Sequence, residues 1–249
     1  SKNLFFRSLF YLQYFTQGYF TIKFADVVVV STQMEKDLIK KLFGKCKKIV
    51  VIPNPIDTNT FKKTKTKRTD NKKIVLYVGL LSWVKGADIF FDIAKRILKK
   101  RNDVKFVMIG KGELNNKFRI ESKDFKENIT ILNEVTDKEL LNWYSGADLF
   151  VSPTYYESFG MVIAEAMACE TPIISTKVGA IPEVVPKGTG FLVDYGDLEK
   201  MENKIIYLLD RPGLMKTMGK NARKFIIKNF DLRIITSKFN NIYSSLLNK

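Results

Sequence analysis

The chain has 249 residues, 45% of them hydrophobic, which is enough for one large domain or for one and a half. Histidine is absent, and the two cysteines, Cys46 and Cys169, lie far apart without metal-ligand spacing. A Ser-His-Asp triad, a His-based zinc site and a His general base are thereby excluded from this chain, and the thiols read as idle groups of a reducing compartment.

The net charge of +16 is unevenly placed: residues 1–73 hold 16 Lys/Arg against 5 Asp/Glu, and residues 74–249 hold 26 against 21. No apolar run free of charge reaches membrane-spanning length, nothing resembles a cleaved signal peptide, and the first residue is Ser1. The sequence therefore reads as a trimmed piece, expected in the cytoplasm and with an association to membrane left open.

Residues 4–24 hold nine aromatics: Phe5, Phe6, Phe10, Tyr11, Tyr14, Phe15, Tyr19, Phe20 and Phe24. The segment reads as a helix apolar around much of its circumference, with Arg7 and Lys23 near its ends. Two readings stand: a helix made to pack on an absent domain, or one lying at a membrane interface. A strand at 27–30, a helix at about 33–43 and a strand at 49–52 follow, ending at Pro53-Asn54-Pro55. That is too little for a core of its own, so residues 1–57 are expected to be the end of an incomplete α/β domain. The polar stretch 58–73 reads as a linker. Its run Lys62, Lys63, Lys65, Lys67 and Arg68 is a solvated surface or a phosphate or lipid contact. No nucleic-acid motif accompanies it, and no nucleic-acid partner is expected.

From residue 74 onward, apolar runs at 74–78, 104–109, 129–132, 149–151, 172–175 and 190–193 alternate with helical patterns at about 87–101, 114–123, 137–147, 160–168 and 197–210. The runs are rich in β-branched residues and mostly lack polar alternation, as strands buried on both faces do. The fold class is therefore α/β, with a doubly wound parallel sheet over 74–230. Helices at about 212–229 and 232–248 close the chain, the second within a terminal segment 231–249. Its stripe of Ile234, Ile235, Phe239, Ile242, Tyr243 and Leu246 reads as packing.

In such sheets ligands bind beyond the carboxyl ends of the strands. The first strand is followed by Gly79-Leu80-Leu81-Ser82-Trp83-Val84-Lys85-Gly86, where Lys85 is either a surface lysine before a helix or a point charge at the mouth of the sheet. After the second comes Gly110-Lys111-Gly112-Glu113, either an ordinary turn or one that admits a flat or phosphorylated ligand. After the third, Thr136 or Asp137 can cap the next helix, and Val135 can offer its backbone to a base edge. After the fourth comes Ser152-Pro153-Thr154-Tyr155-Tyr156-Glu157-Ser158-Phe159-Gly160, running into a helix that holds Glu165. Ser158 reads as its capping residue. A helix start offers unpaired amides and the positive end of a dipole to phosphate. Glu165, set among Ala164, Ala166 and Met167, should be largely buried and so needs partners: ribose hydroxyls or a backbone amide.

Taken together these residues resemble the retaining glycosyltransferases of family 4, enzymes of the GT-B fold with two facing Rossmann-like domains. The resemblance rests on Ala25 to Ser31, on Val51 to Asp57, on Glu157 and Glu165 seven residues apart as in an E-x7-E signature, and on Glu165-Ala166-Met167-Ala168 with Pro172-Ile173-Ile174. It implies a metal-free transfer of a hexose from a nucleotide-diphosphate sugar, UDP- or GDP-linked, to a glycan, lipid or small molecule. No further cofactor is implied. By position, Glu157 and Lys85 are the implied catalytic pair, with Lys85 on the diphosphate and Glu157 near the anomeric carbon. Gly79, Gly110, Gly112, Val135, Asp137, the backbone of Phe159, Gly160, Met161 and Val162, and Glu165 on the ribose complete the donor site. The chain departs from the family at Leu80, where an Arg is common, at Glu170, where Gly is usual, and at Asn133-Glu134. The partners implied are the donor, an absent N-terminal domain that carries the acceptor site, and a lipid acceptor or membrane surface. A chain of this extent is expected to bind donor weakly and to transfer poorly. The other readings are a nucleotide-sugar binding or regulatory module without turnover, and a GT-B epimerase, which the lack of His disfavours.

Overall fold

The computed structural model describes residues 16–44, 47–66 and 71–248. Phe5, Phe6, Phe10, Tyr11, Tyr14 and Phe15 of the aromatic segment, and Cys46, Lys67 and Arg68, lie outside them. The chain divides into two compact units, one of residues 1–53 with 235–249, the other of residues 54–234.

In the smaller unit a helix at 16–24, α1, precedes β1 (Val28–Val30), α2 (Gln33–Phe43) and β2 (Ile49–Val51). The two strands pair in parallel, Val28 opposite Ile49. Thr32 caps α2 by accepting from the Glu35 amide, and Glu35 accepts in return from Ser31 N–H at 2.8 Å. On α1, Phe20 and Phe24 stack with centroids 6.1 Å apart and are 57% and 68% exposed.

The larger unit is built on β3 (Lys73–Val78), β4 (Val104–Ile109), β5 (Ile129–Leu132), β6 (Leu149–Ser152), β7 (Ile173–Thr176) and β8 (Gly190–Val193). They form one all-parallel sheet in the order β5-β4-β3-β6-β7-β8. The intervening helices are α3 (Ala87–Leu98), α4 (Asn115–Glu121) with a 3-10 turn at Ser122–Phe125, α5 (Asp137–Gly146), α6 (Met161–Ala168), α7 (Ile181–Val184) and α8 (Leu198–Leu209). Then come α9 (Pro212–Phe230) and α10 (Leu232–Leu247).

Alternate residues of each strand feed two separate cores. Val75, Tyr77, Phe106, Met108, Leu149 and Val151 pack with α3 and α8, whereas Leu76, Val107, Ile109 and Phe150 pack with α6 and α9. Both faces are buried, which explains strands without polar alternation. The doubly wound α/β fold is thus present. The sheet order reverses direction between β3 and β6, and there the loops leaving the carboxyl ends diverge.

Two expectations change. The stretch read as a linker is not free: the Arg223 guanidinium donates to the carbonyls of Phe61 at 2.9 Å and Thr58 at 3.2 Å, and Ser145 Oγ donates to Lys62 O at 3.2 Å. These carbonyls lack helix or strand partners, so side chains of the larger unit bind them, and the division between units falls after Pro53. The stripe on α10 is buried only at Ile235; Phe239, Ile242 and Leu246 are half-buried and share its face at helical spacing, whereas Ile234 and Tyr243 point away and are exposed.

Candidate active site

The site forms where the loops after β3 and β6 meet. The first, 79–86, ends at Gly86 in the left-handed region, after which α3 begins. The second, 153–160, ends at Gly160, whose φ of 93° starts α6 without any side-chain cap. Ser158 therefore does not cap this helix as its position suggested. Gly160 does so with backbone alone, and the first amides of α6 have no intrahelical acceptor.

Across these loops Lys85 Nζ donates to Glu157 Oε2 at 2.8 Å. Their side chains are 32% and 14% exposed, so the pair is half-buried rather than fully solvated. Gly160 is adjacent: a Cβ placed on it would lie 3.4 Å from Glu157 Cγ. Lys85, Glu157 and the start of α6 therefore share one spot at the rim of the sheet. Phe159 is anchored below, its ring buried edge-on against Phe230 with centroids 5.3 Å apart, while Met161 is exposed and Val162 half-buried.

Glu165 lies deeper on α6. Its partner is the Tyr144 hydroxyl from α5, which donates at 2.9 Å, rather than a backbone amide. Burial raises the Glu165 carboxyl above its ordinary value; the Tyr144 hydrogen bond works against that and the Asp137 charge adds to it. Burial likewise holds the Tyr144 hydroxyl well above its ordinary range, with the Glu165 charge acting in the same sense. Asp137 is thus close enough to Glu165 to influence it. It is the exposed first residue of α5, and Thr136, not Asp137, caps that helix in a reciprocal box with Glu139. Val135 is half-buried against the core in the loop after β5.

Two of the strand-end glycines lie where backbones come close together. A Cβ on Gly110, whose φ is 147°, would lie 1.9 Å from the Gly79 carbonyl, and one on Gly112 would lie 2.3 Å from the Leu81 carbonyl. Gly110 and Gly112 therefore let the loops after β3 and β4 interlock, with Leu81 N–H donating to Lys111 O at 2.8 Å and Leu114 N–H to Leu81 O at 3.0 Å. Leu80, in the place of the expected Arg, is an uncharged side chain and 60% exposed. Cys169 is buried and its thiol is pushed up to about 12 by that burial, as an idle thiol would be.

Residues missed from sequence are hydroxyls. Tyr144 holds Glu165; Tyr77 donates to Leu80 O at 2.6 Å; Thr154 Oγ1 lies 3.0 Å from Val84 O. Only the polar residue type in an apolar strand or helix, or just past one, signalled them.

Residues 58–225 match the family described as Glycosyl transferases group 1. The chain belongs to that family. It is 30% identical over 239 residues to the capsular polysaccharide biosynthesis glycosyltransferase CapM of Staphylococcus aureus, covering 89% of this chain and 62% of the relative. It is 25% identical to a GDP-mannose-dependent monoacylated alpha-(1-6)-phosphatidylinositol monomannoside mannosyltransferase of Corynebacterium glutamicum, covering 88% of this chain and 62% of the relative. Among solved structures, sucrose-phosphate synthase of Thermosynechococcus elongatus superposes with a TM-score of 0.81 at 26% identity, over 94% of this chain and 61% of that one. This group 1 glycosyltransferase chain thus has the Rossmann-like architecture of GT-B enzymes and spans about three-fifths of the length of these relatives. Among the described residues no helix is long and apolar enough to cross a membrane.

Proposed function

We propose that this glycosyltransferase chain is the donor-binding half of a retaining enzyme that moves a hexose from a nucleotide-diphosphate sugar to a glycan, lipid or small-molecule acceptor. The observation that carries the reading is the Lys85–Glu157 pair, 2.8 Å apart, set against the start of α6, which no side chain caps. The bond from the anomeric carbon to phosphate breaks and its electron pair leaves with the diphosphate. The Lys85 ammonium and the α6 amides stabilise that charge without a metal. Glu157 faces the sugar, and Glu165, oriented by Tyr144, accepts from the ribose hydroxyls. Val135 and Asp137 flank the base. For retention the acceptor oxygen bonds to the face that the diphosphate leaves, so the departing phosphate oxygen is the base nearest to the acceptor proton. The relative that is GDP-mannose-dependent supports a nucleotide-sugar donor.

The test is calorimetric titration of UDP, GDP and their sugars into the chain and into Lys85→Ala. Binding of one nucleotide, weakened about tenfold or more by Lys85→Ala, is the expected result. Absence of any binding, or binding indifferent to Lys85, overturns the reading. Leu80, exposed where the resemblance expects Arg, favours a second reading, a nucleotide-sugar binding module without turnover. Glu157→Ala in an enzyme carrying the acceptor half separates the two: lost transfer with nucleotide binding kept marks catalysis, lost affinity alone marks binding.

A further inference from the structure

Lysine is a point charge on a long flexible stem, so its use in a preorganised site depends on what fixes its main chain. Lys85 lies in an eight-residue loop between β3 and α3, with no regular secondary structure of its own. Two buried hydroxyls reach its carbonyls. Tyr77, on β3 and 1% exposed, has its ring against Phe90 with centroids 5.3 Å apart. Its hydroxyl donates to Leu80 O at 2.6 Å and lies 3.4 Å from Lys85 O. Thr154, fully buried just after β6, places its hydroxyl 3.0 Å from Val84 O and 2.9 Å from Tyr156 O. Its single proton is thus shared between the residue before Lys85 and the residue before Glu157. The Tyr155 amide adds a bond to the same Val84 carbonyl at 2.9 Å.

We propose that Tyr77 and Thr154 are positioning residues that hold the Lys85 loop in register with the Glu157 loop, and so set the affinity for the donor's diphosphate. The inference rests on the reading of Lys85 given above. Neither hydroxyl touches a ligand, because both are sealed from solvent. Each acts through Lys85: Tyr77 fixes the start of the loop and reaches the Lys85 carbonyl, and Thr154 ties its end to the neighbouring strand. Removing either hydroxyl leaves the ion pair chemically intact but lets the main chain beneath it shift.

The experiment uses UDP and GDP as probes, titrated calorimetrically into the whole chain. Tyr77→Phe and Thr154→Val are each made with Lys85 present and in a Lys85→Ala background, with thermal melting to verify folding. The expected result is about fivefold weaker binding for each variant when Lys85 is present, the effect of one net hydrogen bond, and under about twofold when Lys85 is absent. Thr154→Ser, which keeps the hydroxyl, restores affinity. A merely structural role would give equal losses in both backgrounds. Should Tyr77→Phe fail to fold, the Thr154→Val and Thr154→Ser pair decides. Binding that needs Lys85 but ignores both hydroxyls overturns this inference alone. Absence of nucleotide binding, or binding indifferent to Lys85→Ala, overturns the Lys85 reading and this inference together.

Discussion

The Lys85 ammonium and the Glu157 carboxylate stand 2.8 Å apart, reaching toward each other from loops that leave adjacent strands of the sheet. On the proposed reading, a diphosphate arriving at this spot competes with Glu157 for the Lys85 ammonium. Replacing Glu157 by Gln removes the rival charge and keeps the shape. We expect Glu157→Gln to tighten UDP or GDP binding by about threefold, the scale of a partly solvated ion pair, and to abolish transfer in an enzyme carrying the acceptor half. Calorimetry on the chain checks the first part, and weaker binding contradicts it.

On the proposed reading, Glu165 sets stability against nucleotide binding. Burial, ahead of the Tyr144 bond and the Asp137 charge, lifts its carboxyl above the ordinary 4.5. A raised acid favours the neutral form in the folded protein. Its ionised form therefore costs stability as pH rises from 4.5 through the folded value, and costs none below that window. Glu165→Gln should raise the melting temperature at pH about 8, leave it unchanged at pH about 4, and weaken nucleotide binding about tenfold by loss of a charged acceptor. A melting shift equal at both pH values would refute the assignment.

Glu170 sits just past the end of α6 with φ of 63°, the one non-glycine residue in the left-handed region among those described. Its side chain crowds the following carbonyl there. Glu170→Gly should stabilise the chain by about 1 kcal/mol, read by urea denaturation. A loss of stability would show that the side chain makes a contact worth more than the strain.

Asp231 accepts from the Thr58 hydroxyl, from Arg233 N–H at 3.0 Å and from Arg233 Nε at 2.9 Å. The Arg233 side chain, foremost among these partners, lowers the Asp231 carboxyl from 3.8 to about 2. A lowered acid stabilises the fold above the unfolded value of 3.8, and that contribution disappears as pH falls toward 2. Asp231→Asn should cost about 1–3 kcal/mol at pH 7, with the gap closing between pH 4 and pH 2 in urea melts. A gap independent of pH would contradict this account.

Much of the architecture was legible because its signals are local. Strands 104–109, 129–132 and 190–193 have the bounds read from their apolar runs, since a strand buried on both faces must be apolar throughout. A cap at Thr136 or Asp137 was legible, because a cap needs only its own three neighbours, and the structure gives it to Thr136. The α10 stripe misled at Ile234 and Tyr243, since helical spacing states which residues share a face but not how wide a face the fold covers.

At the site, the residue types after each strand and their shared edge followed from the sequence alone, because parallel strands wound this way must send their connecting loops to one rim. Which atoms meet did not. Glu165 finding Tyr144, Thr154 reaching Val84, and Gly110 closing on Gly79 join positions separated by one or more helices and strands. Those meetings depend on the angles at which packed elements cross, and such angles are set by the filling of two cores at once rather than by any short stretch of chain.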